Sequence, residues 1–189
     1  MTSEDSPSSA DKILRRIEAA TENHFLPIIG PQKGKYLVEE VQKAKPKHVL
    51  EVGTLIGYSA ILMGKELPAD SEIVTIEIDQ DEVDQARENI LEASIPAKVI
   101  IIKGNALDVI PTLQDSFDFM FIDAEKTEYL FYLHLAEEKL RKGTVVFADN
   151  AGLFATQMSD YLNYVRKSGK YSSRYIEIGD DGVEISVKI

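Results

Sequence analysis

From residue 11 to residue 44 the apolar positions recur at helical spacing, and beyond residue 46 they gather into short continuous runs. Ile13, Leu14, Ile17 and Ala20 mark one amphipathic helix over 11–24, behind a Ser/Asp-rich start. Tyr36, Leu37, Val38 and Val41 mark a second over 32–44, opened by Gly30 and Pro31 and closed before Pro46. After Pro46, apolar runs at 48–51, 73–77, 99–102, 117–122 and 144–147 alternate with helix-like stretches near 58–67, 80–93, 106–114, 127–140 and 155–168. Runs that are apolar or β-branched through their middles suit strands covered on both faces. Their alternation with helices predicts an α/β fold with a doubly wound, mostly parallel sheet. The end of the chain breaks the pattern. Strand-like stretches at 173–178 and 183–189 flank the turn residues 179–182, whose glycines supply positive φ, so an antiparallel C-terminal hairpin completes seven strands.

Composition narrows this picture. The 189 residues suggest a single domain over 11–189, with N-terminal helices at 11–45, an α/β core at 46–189 and a disordered lead-in at 1–10. The absence of cysteine excludes disulfides, thiolate zinc, iron–sulfur clusters and a thiol nucleophile. No apolar run approaches the roughly 18 residues a membrane span needs. The first ten residues lack the basic and apolar regions of a signal peptide, so a cytoplasmic protein without membrane partners is expected. With 21 Lys and Arg against 32 Asp and Glu, the net charge of −11 disfavours nonspecific binding to polyanions.

Ligands of an open α/β sheet bind outside the carboxyl ends of its strands. The residues there are Glu51 to Gly53, Glu77 to Asp79, Gly104 to Ala106, Asp123, and Asp149 with Asn150. Residues 51–59 (EVGTLIGYS) read as strand, glycine turn and helix start, without the Lys-Ser/Thr of a P-loop or the three glycines of a pyrophosphate-binding turn. Glu77, at the end of the second strand, can accept hydrogen bonds from both hydroxyls of a ribose. Together they point to a nucleoside ligand. Asp123, Asp149 and Asn150 end consecutive strands, and their hard oxygen atoms suit Mg²⁺ or Ca²⁺. Lys126, at the start of the following helix, can lean over the same crevice and accept a proton.

Residues 50–60 (LEVGTLIGYSA), 75–78 (TIEI), 121–129 (FIDAEKTEY) and 140–150 (LRKGTVVFADN), with 28–35 (IIGPQKGK), resemble the motifs of the metal-dependent S-adenosylmethionine O-methyltransferases of the catechol and caffeoyl-CoA group. The resemblance runs from about residue 25 to the C-terminus and implies a Rossmann-like class I methyltransferase fold. It implies that Ile29, Glu51, Gly53, Tyr58 and Ser59 hold the methionine part of S-adenosylmethionine, and Glu77 its ribose. Asn105 and Ala106 would border the adenine. Asp123, Asp149 and Asn150 would bind Mg²⁺, or Ca²⁺ or Mn²⁺, with Asp123 also near the cofactor. Lys126 would be the general base, and Phe25, Lys126, Asn150 and Phe154 would face the acceptor. The implied activity is methyl transfer to a hydroxyl of a small vicinal-diol or phenolic substrate.

Two departures concern that acceptor. Ala124 and Glu125 follow the metal Asp where animal catechol enzymes carry His-Trp, and the spacing back from Asp181 and Gly182 puts Tyr175 where they carry a substrate-gripping carboxylate. One alternative within the family is methylation of a hydroxylated tRNA uridine, which Lys33, Lys35, Lys43, Lys45 and Lys47 would serve if they cluster at the site entrance. Remoter alternatives are an NAD-dependent oxidoreductase and a non-catalytic nucleoside-binding protein. His24, His48 and His134 read as structural or surface residues, and Tyr129, Phe131 and Tyr132 as packing. The first helix could close over the site or pack against a second subunit in a homodimer.

Overall fold

A computed structural model describes residues 7–189. The lead-in expected at 1–10 falls in part on residues 1–6, which lie outside the described residues. The first helix, α1 (Ser9–Thr21), starts earlier than residue 11 because the Ser8 side chain accepts a hydrogen bond from the Asp11 backbone N–H. It is followed by α2 (Gly30–Ala44), β1 (His48–Val52), α3 (Tyr58–Gly64), β2 (Glu72–Glu77), α4 (Gln80–Ala93), β3 (Lys98–Lys103) and α5 (Ala106–Val109). The chain continues with β4 (Phe117–Ile122), α6 (Tyr129–Ala136), β5 (Leu140–Ala148), α7 (Ser159–Lys167), β6 (Tyr171–Ile178) and β7 (Asp181–Lys188).

The seven strands form one sheet in the order β3-β2-β1-β4-β5-β7-β6. Strands β1 to β5 are mutually parallel, and β7 is antiparallel to both of its neighbours, β5 and β6. The hairpin expected at the C-terminus is therefore present, with β7 inside the sheet and β6 at its edge. Gly179 takes the positive φ its tight turn requires, at +62°. Gly182 instead lies within β7, where an added Cβ would come 2.4 Å from both the Ile176 carbonyl and the Tyr175 hydroxyl.

Alternation along each strand sends Leu50, Val52, Val74, Ile76, Met120, Ile122, Val146 and Ala148 to one core, beneath α5, α6 and α7. Val49, Ile73, Phe119, Phe121, Val145 and Phe147 face the opposite core, beneath the first helices. This double burial is what the continuous apolar runs require. On that second face α1 lies against the body of the same chain: Arg16 bonds Asn89 at 2.8 Å and Glu92 at 2.7 Å, and the Tyr58 hydroxyl donates to Glu18 at 2.6 Å.

Helices near the sheet's carboxyl end are shorter than their periodicity predicts. Helix α6 is flanked by 3₁₀ turns at Lys126–Glu128 and Glu137–Lys139, and α5 gives way to one at Ile110–Thr112, around Pro111. Helix α7 begins at Ser159 because the segment before it forms turns pinned by Asp181, whose Oδ1 accepts from the N–H of Gly152 at 3.2 Å and of Leu153 at 2.8 Å. Among the described residues no helix is long and apolar enough to cross a membrane.

Candidate functional site

The carboxyl ends of β1, β2 and β4 open a cleft of about 510 Å³, lined by Gly53, Leu55, Glu77, Asn105, Ala106, Asp123 and Lys126 among others. Gly53 makes the opening possible. Its φ is +97°, and a Cβ there would sit 2.1 Å from the Asp123 carbonyl oxygen, so the end of β4 passes directly over this backbone. A smaller recess of about 30 Å³ shares Pro27, Gly53, Leu55 and Asp123 with the cleft and is lined as well by Ile29, Tyr58 and Ser59.

On the β1–β2 side the carboxylates are held mainly by the chain's own backbone. Glu77 Oε2 accepts from the N–H of Thr54 at 3.2 Å and Leu55 at 2.8 Å, and its Oε1 from Ile78 at 2.7 Å and Asp79 at 3.0 Å. Four backbone donors, two to each oxygen, thereby fix the orientation of this carboxylate. Glu51 is fully buried. Its Oε1 accepts the Ser59 hydroxyl, whereas Oε2 has no partner. Burial pushes its carboxyl up to about 7. The Asn105 side chain caps α5 through the Leu107 N–H at 2.9 Å, which turns its neighbour Ala106 toward the cleft.

On the β4–β5 side the carboxylates are held mainly by side chains. Lys126 Nζ donates to Asp123 Oδ1 and to the Ala124 carbonyl, both at 2.9 Å, and lies 5.3 Å from the Tyr129 ring centre and 5.9 Å from that of Phe154. Asp149 is 1% exposed, and burial followed by the charge of Asp123 pushes it up to about 7 against the pull of Lys33. Lys33 Nζ lies 2.8 Å from Asp149 Oδ2, to which it donates, and 2.7 Å from Oδ1, which is left without an aligned donor. Asn150 adopts a left-handed backbone, φ +61°, and its Nδ2 donates to Asp181 Oδ2 at 2.9 Å. Against the cost of burial, the Leu153 N–H, Lys33 and Asn150 hold Asp181 well below the usual carboxylate range.

Ile29, Glu51, Gly53, Tyr58, Ser59, Glu77, Asn105, Ala106 and Asp123 thus line the cleft or its neighbouring recess or sit beneath them, and Lys126, Asp149, Asn150 and Phe154 gather at the β4–β5 edge. Phe25 does not join them: it is 92% exposed and lines neither cavity, the adjoining Pro27 reaching the cleft instead. Among the described residues no three His, Cys, Asp or Glu side chains form a ready cation-holding group. The expected set consists of two carboxylates and an amide, and both oxygens of the buried Asp149 face a cation already, the Lys33 ammonium at 2.7 and 2.8 Å, so these hard oxygens suit a cation.

Three polar residues of the site carry no obvious sequence signal. Lys33 and Asp181 are brought to Asp149 and Asn150 from far along the chain. Glu82 lines the cleft beside Glu77 and is pushed up to about 7 by burial and then by the charge of Glu77. Asp79 and Glu82 stand at capping-box spacing, a pattern that reads as a helix start rather than a binding feature. The five lysines expected at the site entrance are dispersed. Lys33 is bonded inside, while Lys43, Lys45 and Lys47 lie near the start of β1, a 15-residue helix away from the cleft mouth, and Lys43 and Lys47 pair with Glu40 and Asp70.

Residues 3–170 match the family model described as O-methyltransferase. The chain is 37% identical over 172 residues to a catechol O-methyltransferase B of Danio rerio, covering 84% of this chain and 64% of that protein. It is 38% identical over 126 residues to a catechol O-methyltransferase of Niastella koreensis, covering 65% of this chain and 57% of the relative, so it spans about three fifths of the length of these two relatives. Among solved structures, the O-methyltransferase from Bacillus cereus in complex with SAH superposes with a TM-score of 0.84 at 26% identity, covering all of this chain and 94% of that one.

Proposed function

The chain belongs to the O-methyltransferase family, and on that premise we propose that it transfers a methyl group from S-adenosylmethionine to a hydroxyl of a small phenolic or vicinal-diol acceptor, assisted by a divalent cation. The observation that carries this reading is the position of the Asp123–Lys126 pair, which lines the cleft and stands at the edge where Asp149 and Asn150 gather.

Within the reading, the Glu77 carboxylate and the α5 start bind the nucleoside end of the cofactor, and the recess beside Ile29, Tyr58 and Ser59 takes its methionine end. The unpartnered Oε2 of Glu51 offers an acceptor beneath a ligand bearing an ammonium and a sulfonium, whose charge favours the ionised form of the carboxyl. Asp123, Asp149 and Asn150 hold the cation through their oxygens. When bound, the cation supplies Lewis acidity toward a hydroxyl oxygen, and the cofactor supplies an electrophilic methyl. Lys126 takes the proton from the acceptor hydroxyl once its ammonium has given up a proton to solvent, and Phe154, within 6 Å of its Nζ, packs on the acceptor and excludes water. Alignment of acceptor oxygen and methyl in a closed site is worth several kcal/mol, about 7–11 at most.

Titration with S-adenosylmethionine and with NAD, followed by a methyl-transfer screen over catechols, hydroxycinnamates, flavonoids and tRNA with and without Mg²⁺, tests the proposal. Binding of S-adenosylmethionine alone, with Mg²⁺-stimulated methylation of a small hydroxylated aromatic, is expected. Binding of NAD in its place, or turnover indifferent to Mg²⁺ removal, would overturn the corresponding part.

A further inference from the structure

Lys33 stands in the first turn of α2, just after Pro31, where the exposed N–H groups of a helix disfavour a positive charge. Its side chain is only 15% exposed, and its ammonium bridges two carboxylates from distant parts of the chain: Asp149 at the end of β5 and Asp181, 2.9 Å away, at the start of β7. Asp149 is buried, 2% exposed, and Asp181 partly so at 15%, so the lysine is a largely enclosed cation in a poor position for one and not a surface decoration. The two carboxylates differ in what else they do. Asp181 is saturated by Lys33, Asn150 and two backbone N–H groups, whereas Asp149 turns both of its oxygens to the Lys33 ammonium, at 2.7 and 2.8 Å.

We propose that Lys33 is a resident competitor for the divalent-cation site: it shares Asp149 with the incoming cation, retires onto Asp181 when the cation binds, and so sets the affinity with which the cation is held. The inference rests on the reading that Asp123, Asp149 and Asn150 hold that cation. The arrangement keeps a deeply buried carboxylate paired and aligned at every stage, since an unpaired one is costly inside a protein. It also ensures that a lysine, with a single charge and a flexible stem, yields to a doubly charged ion.

The test is Mn²⁺ titration of the full chain by calorimetry, with thermal midpoints measured with and without Mn²⁺. Lys33→Met is expected to bind Mn²⁺ about tenfold more tightly than the parent, because a unit positive charge next to the site has been removed. Lys33→Arg, which keeps the charge, and Lys35→Met, whose parent side chain is 73% exposed, are expected to bind as the parent does. If Lys33→Met folds poorly alone, the gain in its midpoint on adding Mn²⁺ reads the same quantity, and that gain is expected to exceed the parent's. A lysine acting only as a brace gives equal or weaker binding in Lys33→Met, which overturns the proposal while leaving the cation site standing. Asp149→Asn separates the two ideas. If the parent binds no Mn²⁺, or Asp149→Asn binds it as well as the parent, the site reading fails and the competitor falls with it.

Discussion

The two sides of the cleft solve one problem, keeping acids at the end of a buried sheet, by different means. At β1–β2, Glu77 is fastened by four backbone N–H groups from the turns that follow the two strands. Those donors move only if the backbone moves. At β4–β5, Asp123 and Asp149 are fastened by lysine side chains, and Asp181 ties Lys33, Asn150 and two loop amides together. Such partners can change rotamer while the backbone stays where it is. A site that keeps one shape for its nucleoside ligand suits the first arrangement. On the proposed reading, in which a lysine gives way to a metal ion and a proton then moves, the second arrangement is the suitable one.

The sharpest way to break this comparison is to remove an acid from the exchangeable side. Asp149→Ala is expected to lower Mg²⁺-stimulated methyl transfer about a thousandfold, since several kcal/mol of Lewis-acid assistance are lost, while S-adenosylmethionine binding measured by calorimetry changes little. Equal loss of cofactor binding would show that the two sides are one unit. Lys126→Ala comes next. Turnover is expected to fall about a hundredfold, with partial recovery as the pH is raised and the acceptor hydroxyl ionises unaided. A pH profile parallel to that of the parent would remove the lysine from the proton transfer.

How much of this was legible in the sequence divides along the same line. The β1–β2 side is built from neighbours in the chain: Gly53, Thr54 and Leu55 follow one strand, Glu77 to Asp79 the next, and parallel pairing brings them together in register. A periodicity argument finds all of them. The β4–β5 side depends on partners 116 and 148 residues apart, Lys33 with Asp149 and with Asp181, and on an insertion of β7 between β5 and β6. Lys33 reads from sequence as one of five lysines on a helix and the loop after it, and Asp181 as a turn residue. Helix lengths near the site were overestimated for a related reason. The span 127–140 runs into polar 3₁₀ turns at both ends, Lys126–Glu128 and Glu137–Lys139, where no residue is buried and so no apolar pattern marks where the α-helix starts and stops. Phe25 shows the opposite error, since an aromatic next to the right motif stands in solvent.

A third measurement probes a fully buried acid on the β1–β2 side that lacks a full set of donors. Burial raises the Glu51 carboxyl from its ordinary 4.5 to about 7. A buried acid raised in this way contributes stability that is complete below pH 4.5, declines as the pH rises toward 7, and is absent above it. The shift corresponds to about 3 kcal/mol at most. Glu51→Gln keeps the shape and cannot ionise, so its thermal midpoint is expected to match the parent's near pH 4 and to exceed it increasingly up to pH 8, in the absence of ligand. Parallel curves would mean that Glu51 is ionised without penalty, its open oxygen satisfied by solvent.

The smallest effect is expected at Tyr58, and it decides whether that residue serves the ligand or the scaffold. Its ring lines the recess next to Ser59, the place where the methionine end of the cofactor is proposed to lie. Its hydroxyl, however, is already committed to Glu18 of α1 at 2.6 Å, and burial followed by that bond raises the phenol further from ionisation. Removing the hydroxyl therefore breaks a link between α1 and α3 and leaves the wall of the recess intact. Tyr58→Phe is expected to cost about 2 kcal/mol in urea unfolding, the usual net value of a bond to a charged group, and to change S-adenosylmethionine affinity by less than about threefold. A tenfold loss of affinity with unchanged stability would reverse the assignment, because the hydroxyl would then have to leave Glu18 when the ligand binds. The backbone-fastened side of the cleft would in that case contain an exchangeable contact of its own.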